Sequence, residues 1–533
     1  MSATSLDQRV PLVARLRKWV VHPFLLAAYA ALAFFAHNLG QLEPKDIVRP
    51  LVASLALSLL LLVLMRLILR DWGRGALAAS FVTLLVLSYG HAYDGLKVFG
   101  VSGATIVRHR YLLPATLLVA VVGVAAVSRI RSTHVWTPTL TAIGVFALAG
   151  PLALIAEFYV PMALWSLGEG AGTRGCRLHP GPVRPDVYLI VLDAYERDDV
   201  LQEVRGYDNS WFLGQLEEMG FYIARGSLSN YAFTRFSIPS VLNSAYVEEF
   251  PERFGPAPSR VQQLIDKISD NSLRHELECI GYSTVAFETG VHWTEWRDAD
   301  TYLQRGQGDG NGYNPLGELS RTEFFFLNTT IARAVLDGWQ QMDQAGGMSA
   351  PDPRDDHRER ILFVLDQLKQ VASLPSPKLV FAHIVSPHPP YVFGSTGEAV
   401  RQGQFETESD IRNSDAYTRQ IDYLNKEIAE VLGYVLQHSD TPPVIVVMGD
   451  HGWTYASEEA RLSILNVYYL PEGTDGLYPT MTPVNTFRLV MDRYFGGDFG
   501  LLPDKSYYST HEDDFNLRLV PNTWPRNGDR SRP

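Results

Sequence analysis

The sequence contains very little cysteine, and beyond residue 165 it has no excess of positive charge. Its two cysteines, Cys176 and Cys279, are too few for a disulfide-stapled scaffold and lack the CxxC spacing of a zinc knuckle or redox pair. They either form one disulfide or stay free.

Residues 166–533 carry 32 Lys and Arg against 52 Asp and Glu. Because nucleic-acid binding requires a positive surface, no nucleic-acid partner is predicted.

Long apolar runs are present, and most lie before residue 165. A helix needs roughly 20 apolar residues to cross a hydrocarbon core about 30 Å thick. Five windows meet this requirement. The predicted spans are Trp19–His37, Leu51–Leu69, Gly75–Ala92, Tyr111–Ser128 and Pro138–Val160.

The Lys and Arg residues between these spans predict the orientation of the chain. Nine fall on the side that includes the N-terminus and five on the other side. Since positive loops stay in the cytoplasm, we expect a cytoplasmic N-terminus, and five crossings then place the residues after Val160 outside. The sequence thus predicts a five-helix transmembrane domain (1–165), a linker (166–185), an extracytoplasmic catalytic domain (186–520) and a flexible tail (521–533).

The extracytoplasmic part alternates short runs of Val, Ile and Tyr with longer helical patterns. This alternation predicts an α/β domain with a mostly parallel sheet and helices on both faces. Predicted strands are Asp186–Asp193, Tyr282–Phe287, Lys378–Val385, Val444–Gly449 and Ile464–Leu470, and predicted helices are Pro258–Cys279, Asp356–Val371 and Ala416–His438.

Polar residues with metal-binding or phosphate-binding chemistry follow three of these strands. Asp193 closes the first, His383 and His388 lie at and beyond the third, and Asp450-His451 follows the fourth. Ligands bind beyond the carboxyl ends of parallel strands, and carboxylate with neutral imidazole suits Zn²⁺ or Mn²⁺. We therefore expect a divalent metal site, with Mg²⁺ or Ca²⁺ as alternatives.

A segment rich in hydroxyl groups, SNYAFTRFSIPSVLNS at 229–244, supplies candidate nucleophiles. Thr234, Ser237 and Ser240 all qualify, because a metal-bound hydroxyl loses its proton more readily. If the segment opens a helix, its free N–H groups also favour a bound anion. The alternative is that these residues only cap the helix.

The order LIVLDAYERDD, TRFSIPS, HIVSPHPPY and GDHG, after five spans, resembles the membrane-anchored sulfatase-like branch of the alkaline phosphatase superfamily, with lipoteichoic acid synthases and phosphoethanolamine transferases. The resemblance implies that Asp193, Thr234, Asp450 and His451 bind the metal. The family pattern T-x-aromatic-S-x-P assigns the nucleophile to Thr234, with Ser237 as the alternative.

The same resemblance implies roles for the remaining polar residues. His388 is expected to act in catalysis, and His383 and His388 are expected to contact phosphate or a second metal. His383 is alternatively a core histidine. Arg461 is a candidate phosphate contact or a surface arginine. Formylglycine-dependent sulfate ester hydrolysis is not expected, because no cysteine lies near Thr234.

The implied function is transfer of a phospho-alcohol head group from a membrane phospholipid to a glycan or lipid acceptor through a phosphothreonine intermediate. A phosphodiesterase or phosphatase using the same residues, or a non-catalytic scaffold, is the alternative. The expected location is the bacterial cytoplasmic (inner) membrane, with a periplasmic or extracellular catalytic domain. The oligomeric state is open.

Overall fold

The computed structural model describes residues 20–39, 42, 44–98, 108–168, 175–179, 181, 183–250, 257–305, 321–344, 353–400, 415–453, 457–510 and 513–525. Parts of the predicted linker (169–174, 180 and 182) and of the predicted tail (526–533) lie outside these residues. The chain divides into two compact units. The helical unit comprises 1–164 and 315–351, and the α/β unit comprises 165–314 and 352–533.

The helical unit contains the apolar helices α1 to α5. They are α1 His22–His37, α2 Val48–Leu69, α3 Trp72–Val98, α4 His109–Ser128 and α5 Trp136–Gly168. Four are long and apolar enough to cross a membrane, and α1 is a shorter apolar helix of 16 residues. Each predicted span therefore coincides with an apolar helix, which confirms the helical membrane domain.

The turn between α2 and α3 shows why the second span ends where it does. Arg70 adopts a left-handed conformation (φ 54°) that closes α2. The side chain of Asp71 then accepts a hydrogen bond from the backbone N–H of Arg74 (2.7 Å), which caps the start of α3. Two long apolar helices are thus joined by a tight polar turn.

The α/β unit is built on a seven-stranded sheet in the order β2-β7-β6-β1-β5-β3-β4. The strands are β1 Val187–Leu192, β2 Tyr222–Ile223, β3 Ser283–Phe287, β4 Thr301–Leu303, β5 Lys378–Ile384, β6 Val444–Gly449 and β7 Asn466–Tyr469. Strands β6, β1, β5, β3 and β4 pair in parallel, and β7 pairs antiparallel with both β6 and β2. A separate hairpin pairs β8 Ser506–Tyr508 with β9 Arg518–Val520. The predicted α/β class and all five predicted strands are confirmed.

The remaining helices follow in chain order. They are α6 Asp198–Arg205, α7 Ser210–Glu218, α8 Thr234–Asn243, α9 Ala257–Ser269, α10 Ser272–Cys279, α11 Arg321–Asn328, α12 Arg333–Gln344, α13 Pro353–Val371, α14 Ala416–His438, α15 Glu458–Leu462 and α16 Thr486–Tyr494. Helices α11 and α12 belong to the helical unit. The sequence-based boundaries placed their residues inside the 186–520 domain, whereas the structure groups 315–351 with the apolar helices.

The single helix predicted over Pro258–Cys279 is wrong, because two helices occupy this stretch. The side chain of Asn271 accepts a hydrogen bond from the backbone N–H of Arg274 (2.8 Å) and starts α10 as its N-cap. A capping asparagine competes with the backbone of a continuous helix, so the chain turns at this point.

Both faces of the sheet are buried. Alternate residues of β1 enter two apolar clusters: Tyr188, Ile190 and Leu192 pack with α13 and α14, and Val187, Leu189 and Val191 pack with α8, α10 and α16. The register pairs Leu192 with Ile384 of β5 and with Gly449 of β6. The residues that follow β1 and β6 therefore leave the sheet side by side at its carboxyl edge.

Candidate active site

The candidate active site begins where β1 and β6 end. One ligand atom from each of Asp193, Asp450 and His451 lies within 4.8 Å of the others, and all three residues are buried. Nε2 of His451 lies 3.8 Å from Oδ1 of Asp193 and 3.6 Å from Oδ2 of Asp450. The register of the two neighbouring strands brings these residues together although they are far apart in the sequence.

Helix α8 brings the hydroxyl group to the same place. Phe233 is extended and Thr234 is the first residue of the helix, so Thr234 lies at the N-terminal end, where backbone N–H groups are free to bind an anion. The Oγ1 atom of Thr234 lies 3.2 Å from Nε2 of His451. Thr234 is therefore adjacent to the three candidate metal ligands.

Backbone contacts fix the direction of two of these side chains. Oδ1 of Asp450 accepts hydrogen bonds from the backbone N–H groups of Ala194 and His451, both at 3.0 Å. Nδ1 of His451 lies 2.8 Å from the carbonyl oxygen of Gly452. A ring nitrogen bonded to a carbonyl carries the proton, so Nε2 of His451 presents its lone pair to the site.

The remaining oxygens of the two carboxylates support metal binding. Among the described residues, the buried atoms Asp193 Oδ1 and Asp450 Oδ2 have no hydrogen-bond partner. Buried carboxylate oxygens without partners are costly unless a cation neutralises them. Two carboxylates, one neutral imidazole and one hydroxyl also match the ligand preferences of Zn²⁺ and Mn²⁺. The residues thus fit a divalent cation.

The ionisation states of Asp193 and His451 also favour metal binding. Burial alone would raise the pKa of Asp193, but the neighbouring His388, His383 and His451 outweigh burial and hold that pKa well below its usual range. Burial lowers the pKa of His451. A charged carboxylate and a neutral imidazole are the forms that bind a metal.

The two other predicted histidines both contact Asp193. His383 is buried on β5, with Nε2 3.4 Å from Asp193 Oδ2 and Nδ1 3.0 Å from Thr294 Oγ1. The backbone N–H of His388 donates to the carbonyl oxygen of Asp193 (3.0 Å). The His388 ring packs edge-on against Trp453, and its Nδ1 lies 2.6 Å from the carbonyl oxygen of Pro389.

The two alternative nucleophiles have other hydrogen-bond partners. Ser237 is buried, and its hydroxyl donates to the carbonyl oxygen of Asp450 (2.6 Å). The hydroxyl of Ser240 donates to the carbonyl oxygen of Ala245 (2.8 Å). Among the three hydroxyls considered from the sequence, the structure places that of Thr234 beside His451.

Arg461 is buried rather than a surface arginine, with an exposed fraction of 3%. Its guanidinium donates to the carbonyl oxygens of Gly452 (2.5 Å) and Ala232 (3.1 Å). These two carbonyls lie next to His451 and Phe233, so Arg461 links the loop after β6 to the start of α8.

Sequence reasoning missed a buried group of side chains that supports the loop after β1. Tyr417 of α14 donates its hydroxyl to the carbonyl oxygen of Ala194 (2.7 Å) and accepts from the N–H of Glu196 (3.2 Å). The carboxylate of Glu196 accepts from the N–H of Trp453 (3.1 Å) and from Arg205 (3.0 Å). Tyr417 lies on the apolar face of an amphipathic helix, where sequence pattern does not separate it from core residues.

Comparison with known families and structures adds three findings. A family model described as Sulfatase matches residues 187–488. No curated protein sequence matches the chain. Many solved structures are similar to it.

Three of these structures show the range of similarity. The C-terminal periplasmic domain of EcEptC from Escherichia coli, in complex with Zn, is 11% identical and covers 66% of this chain and 95% of its own, with a TM-score of 0.42. The lipoteichoic acid synthase LtaP from Listeria monocytogenes is 13% identical, and the match covers 61% of this chain and 77% of LtaP, with a TM-score of 0.34. The integral membrane lipooligosaccharide phosphoethanolamine transferase A from Neisseria meningitidis is 13% identical. The match covers 84% of this chain and 88% of the transferase, with a TM-score of 0.33.

Proposed function

Because this chain belongs to the sulfatase family, we propose that it is a metal-dependent phosphotransferase anchored in the membrane. It moves a phospho-alcohol head group from a phospholipid to an extracytoplasmic glycan or lipid acceptor. The observation that carries the proposal is the 3.2 Å approach of the Thr234 hydroxyl to His451, beside two carboxylate oxygens that lack hydrogen-bond partners among the described residues. A formylglycine sulfatase would require a cysteine in this segment, and no cysteine lies near Thr234.

Asp193, Asp450, His451 and Thr234 would hold the cation. A bound divalent cation lowers the pKa of a hydroxyl ligand and offsets negative charge on phosphate oxygens. The N-terminal end of α8 adds backbone N–H groups and a positive dipole end for the same phosphate. The site therefore combines a nucleophile with an anion-binding environment.

The first step forms a bond from Thr234 Oγ1 to phosphorus and breaks the bond from phosphorus to the glyceryl oxygen. The proton of Thr234 is lost to water, and diacylglycerol leaves after taking a proton from His388. Because Nδ1 of His388 is bonded to the carbonyl of Pro389, Nε2 is the nitrogen that exchanges this proton. A phosphothreonine diester remains.

In the second step the hydroxyl of the acceptor attacks phosphorus and gives its proton to His388. The bond from phosphorus to Oγ1 breaks, and Thr234 regains a proton from water. If water takes the place of the acceptor, the same residues hydrolyse the lipid. The two outcomes differ only in what enters the site.

The pairing of Cys176 with Cys279 supports an extracytoplasmic location for this chemistry. Disulfides form and persist in oxidising compartments and are rare in the cytosol. The bridge agrees with the orientation inferred from the distribution of Lys and Arg. The acidic α/β unit would then face the periplasm or cell exterior, where head groups of the outer leaflet are accessible.

The proposal is tested with Thr234→Ala, with Ser240→Ala on the same helix as control. The purified full chain is incubated with Zn²⁺ or Mn²⁺ and mixed phospholipid vesicles. We expect Thr234→Ala to reduce diacylglycerol release by about 10³-fold or more and to abolish the phosphothreonine peptide, because the nucleophile is gone. Ser240→Ala should retain both.

Diacylglycerol release by Thr234→Ala at the wild-type rate would eliminate Thr234 as the nucleophile. Addition of candidate glycan acceptors separates transfer from hydrolysis, since transfer yields a product larger than the free head group. Metal content measured after purification in mild detergent tests the scaffold alternative, which requires no cation.

A further inference from the structure

The segment 315–351 interrupts the α/β unit and contributes α11 and α12 to the helical unit. These helices pack against the apolar helices through several contacts. Phe326 is buried against Phe34 of α1, with ring centroids 5.5 Å apart. Arg49 at the start of α2 pairs with Glu323 (2.9 Å). The helix pair is thus an integral part of this unit.

The turn between α11 and α12 is bonded to the middle of α3. The backbone N–H of Ile331 donates to the carbonyl oxygen of Val86 (2.8 Å), and the N–H of Gly90 donates to the carbonyl oxygen of Thr329 (2.9 Å). Both α3 residues lie inside the candidate span Trp72–Leu96. At 1.5 Å per residue, Val86 is about 15 Å below Leu96. In a bilayer crossed by this span, the turn would lie below the outer membrane surface.

The side-chain donors of Asn328, Thr329 and Thr330 in this turn are bonded within the protein. The hydroxyls of Thr329 and Thr330 donate to the carbonyl oxygens of Phe326 (2.7 Å) and Leu327 (2.8 Å). The side-chain amide of Asn328 donates to the carbonyl oxygen of Phe324 (2.8 Å). Non-helical backbone is tolerated at membrane depth only where its polar groups are bonded and covered by protein. This turn meets that requirement.

The charged contacts of the helix pair lie nearer the outer end of the spans. Arg333 pairs with Asp94 (2.7 Å), and Asp337 lies 2.6 Å from Nε2 of His109, the first residue of α4. Charges near the membrane surface and apolar contacts deeper down follow the polarity profile of a bilayer. Helix α11 descends from this level and α12 returns to it.

We propose that α11 and α12 form a re-entrant hairpin whose turn enters the outer leaflet of the membrane. The hairpin contacts lipid acyl chains. These chains would cover the apolar side chains of Phe325 and Val335, which have exposed fractions of 45% and 54%. Gly90 permits the close approach, since a Cβ there would collide with the backbone of Asn328 and Thr329. The hairpin gives the catalytic chain a second attachment to the membrane, in addition to α5.

The test uses spin labels on single cysteines in the full chain, reconstituted in phosphatidylcholine nanodiscs. The native cysteines form a disulfide and do not react. Labels replace Phe325 and Val335, with Val122 of α4 as the lipid-facing control and Trp211 of α7 as the water-facing control, exposed by 59% and 54%. Accessibility to a water-soluble nickel complex and to oxygen is measured by electron paramagnetic resonance.

We expect labels at positions 325 and 335 to be at least about threefold less accessible to the nickel complex than the label at 211, with values nearer to that of the label at 122. Values at both positions closer to the label at 211 would overturn the proposal. Gly90→Ala should raise the nickel accessibility at 325 because it forces the turn away from α3. Gly95→Ala on the same helix, where an added Cβ meets nothing within 4 Å, should leave it unchanged. An equal effect of the two substitutions would also contradict the proposed docking.

Discussion

At the residue scale, the orientation of the Asp450 carboxylate depends on the backbone of Ala194. Asp193 and Asp450 each follow a buried apolar strand, a position that the pattern reveals. The direction of the Asp450 carboxylate depends on the N–H of Ala194, which adopts φ 65°. An alanine in the left-handed region is strained and uncommon, so nothing in the residue type indicated this turn.

The choice between Thr234 and Ser237 as nucleophile also depended on the contacts of their hydroxyl groups, which the sequence does not reveal. Ser237→Ala removes the hydroxyl that donates to the Asp450 carbonyl, but the hydroxyl of Ser229 donates to the same oxygen (2.5 Å). We therefore expect a loss of only about 1 kcal/mol in the free energy of unfolding. Denaturant unfolding of the purified protein measures this loss. Phosphothreonine formation should persist, whereas a phosphoserine at position 237 of the wild-type protein, absent from Ser237→Ala, would assign the nucleophile to Ser237.

At the element scale, strongly patterned segments were predicted well and weakly patterned ones were not. Buried parallel strands read as continuous apolar runs, and Ala416–His438 has the same bounds in sequence pattern and structure. The edge strands β2 and β4 have two and three residues, too few to show a period. The match of the Sulfatase family model confirms the resemblance that the four sequence blocks indicated.

Helix α14 supports the site through Tyr417, and this role is testable. Tyr417→Phe removes the hydroxyl that holds the carbonyl of Ala194 and the N–H of Glu196. Because loss of groups that orient metal ligands weakens metal binding, we expect about 10–100-fold lower affinity for Zn²⁺ or Mn²⁺. Competition with a chromophoric chelator measures the affinity.

Tyr434→Phe is the matched control, since Tyr434 lies on the same helix and stacks on His438 away from these contacts. It should bind metal as the wild type does. Equal affinities for Tyr417→Phe and Tyr434→Phe would show that Tyr417 does not position the ligands.

At the scale of the whole molecule, the sequence predicted two kinds of domain but not the excursion of 315–351 into the helical unit. Helices α11 and α12 contain polar as well as apolar residues, so their pattern resembles that of helices covering the sheet. The bond between Cys176 and Cys279 was equally open, because spacing does not determine whether two distant cysteines pair. Both features depend on long-range contacts.

The disulfide joins residues 103 positions apart in the α/β unit, and its removal is expected to destabilise that unit. Closing a loop of about 100 residues restricts the unfolded chain and contributes about 5 kcal/mol. Replacing both cysteines by serine should therefore lower the midpoint temperature of thermal unfolding. Tryptophan fluorescence of the protein in detergent measures this midpoint. Reduction of the wild-type protein should produce a similar shift, and unchanged midpoints in both experiments would contradict this role.

The place of α11 and α12 in the chain has a consequence for biosynthesis. Both helices precede β5 and β6, so the ribosome completes the last helices of the apolar bundle before it makes the strands that lead to His383 and Asp450. Domains commonly assemble as their residues emerge. The helical unit can thus mature while the sheet still lacks the two strands that flank β1. Cation binding then becomes a late step that only a complete molecule can reach.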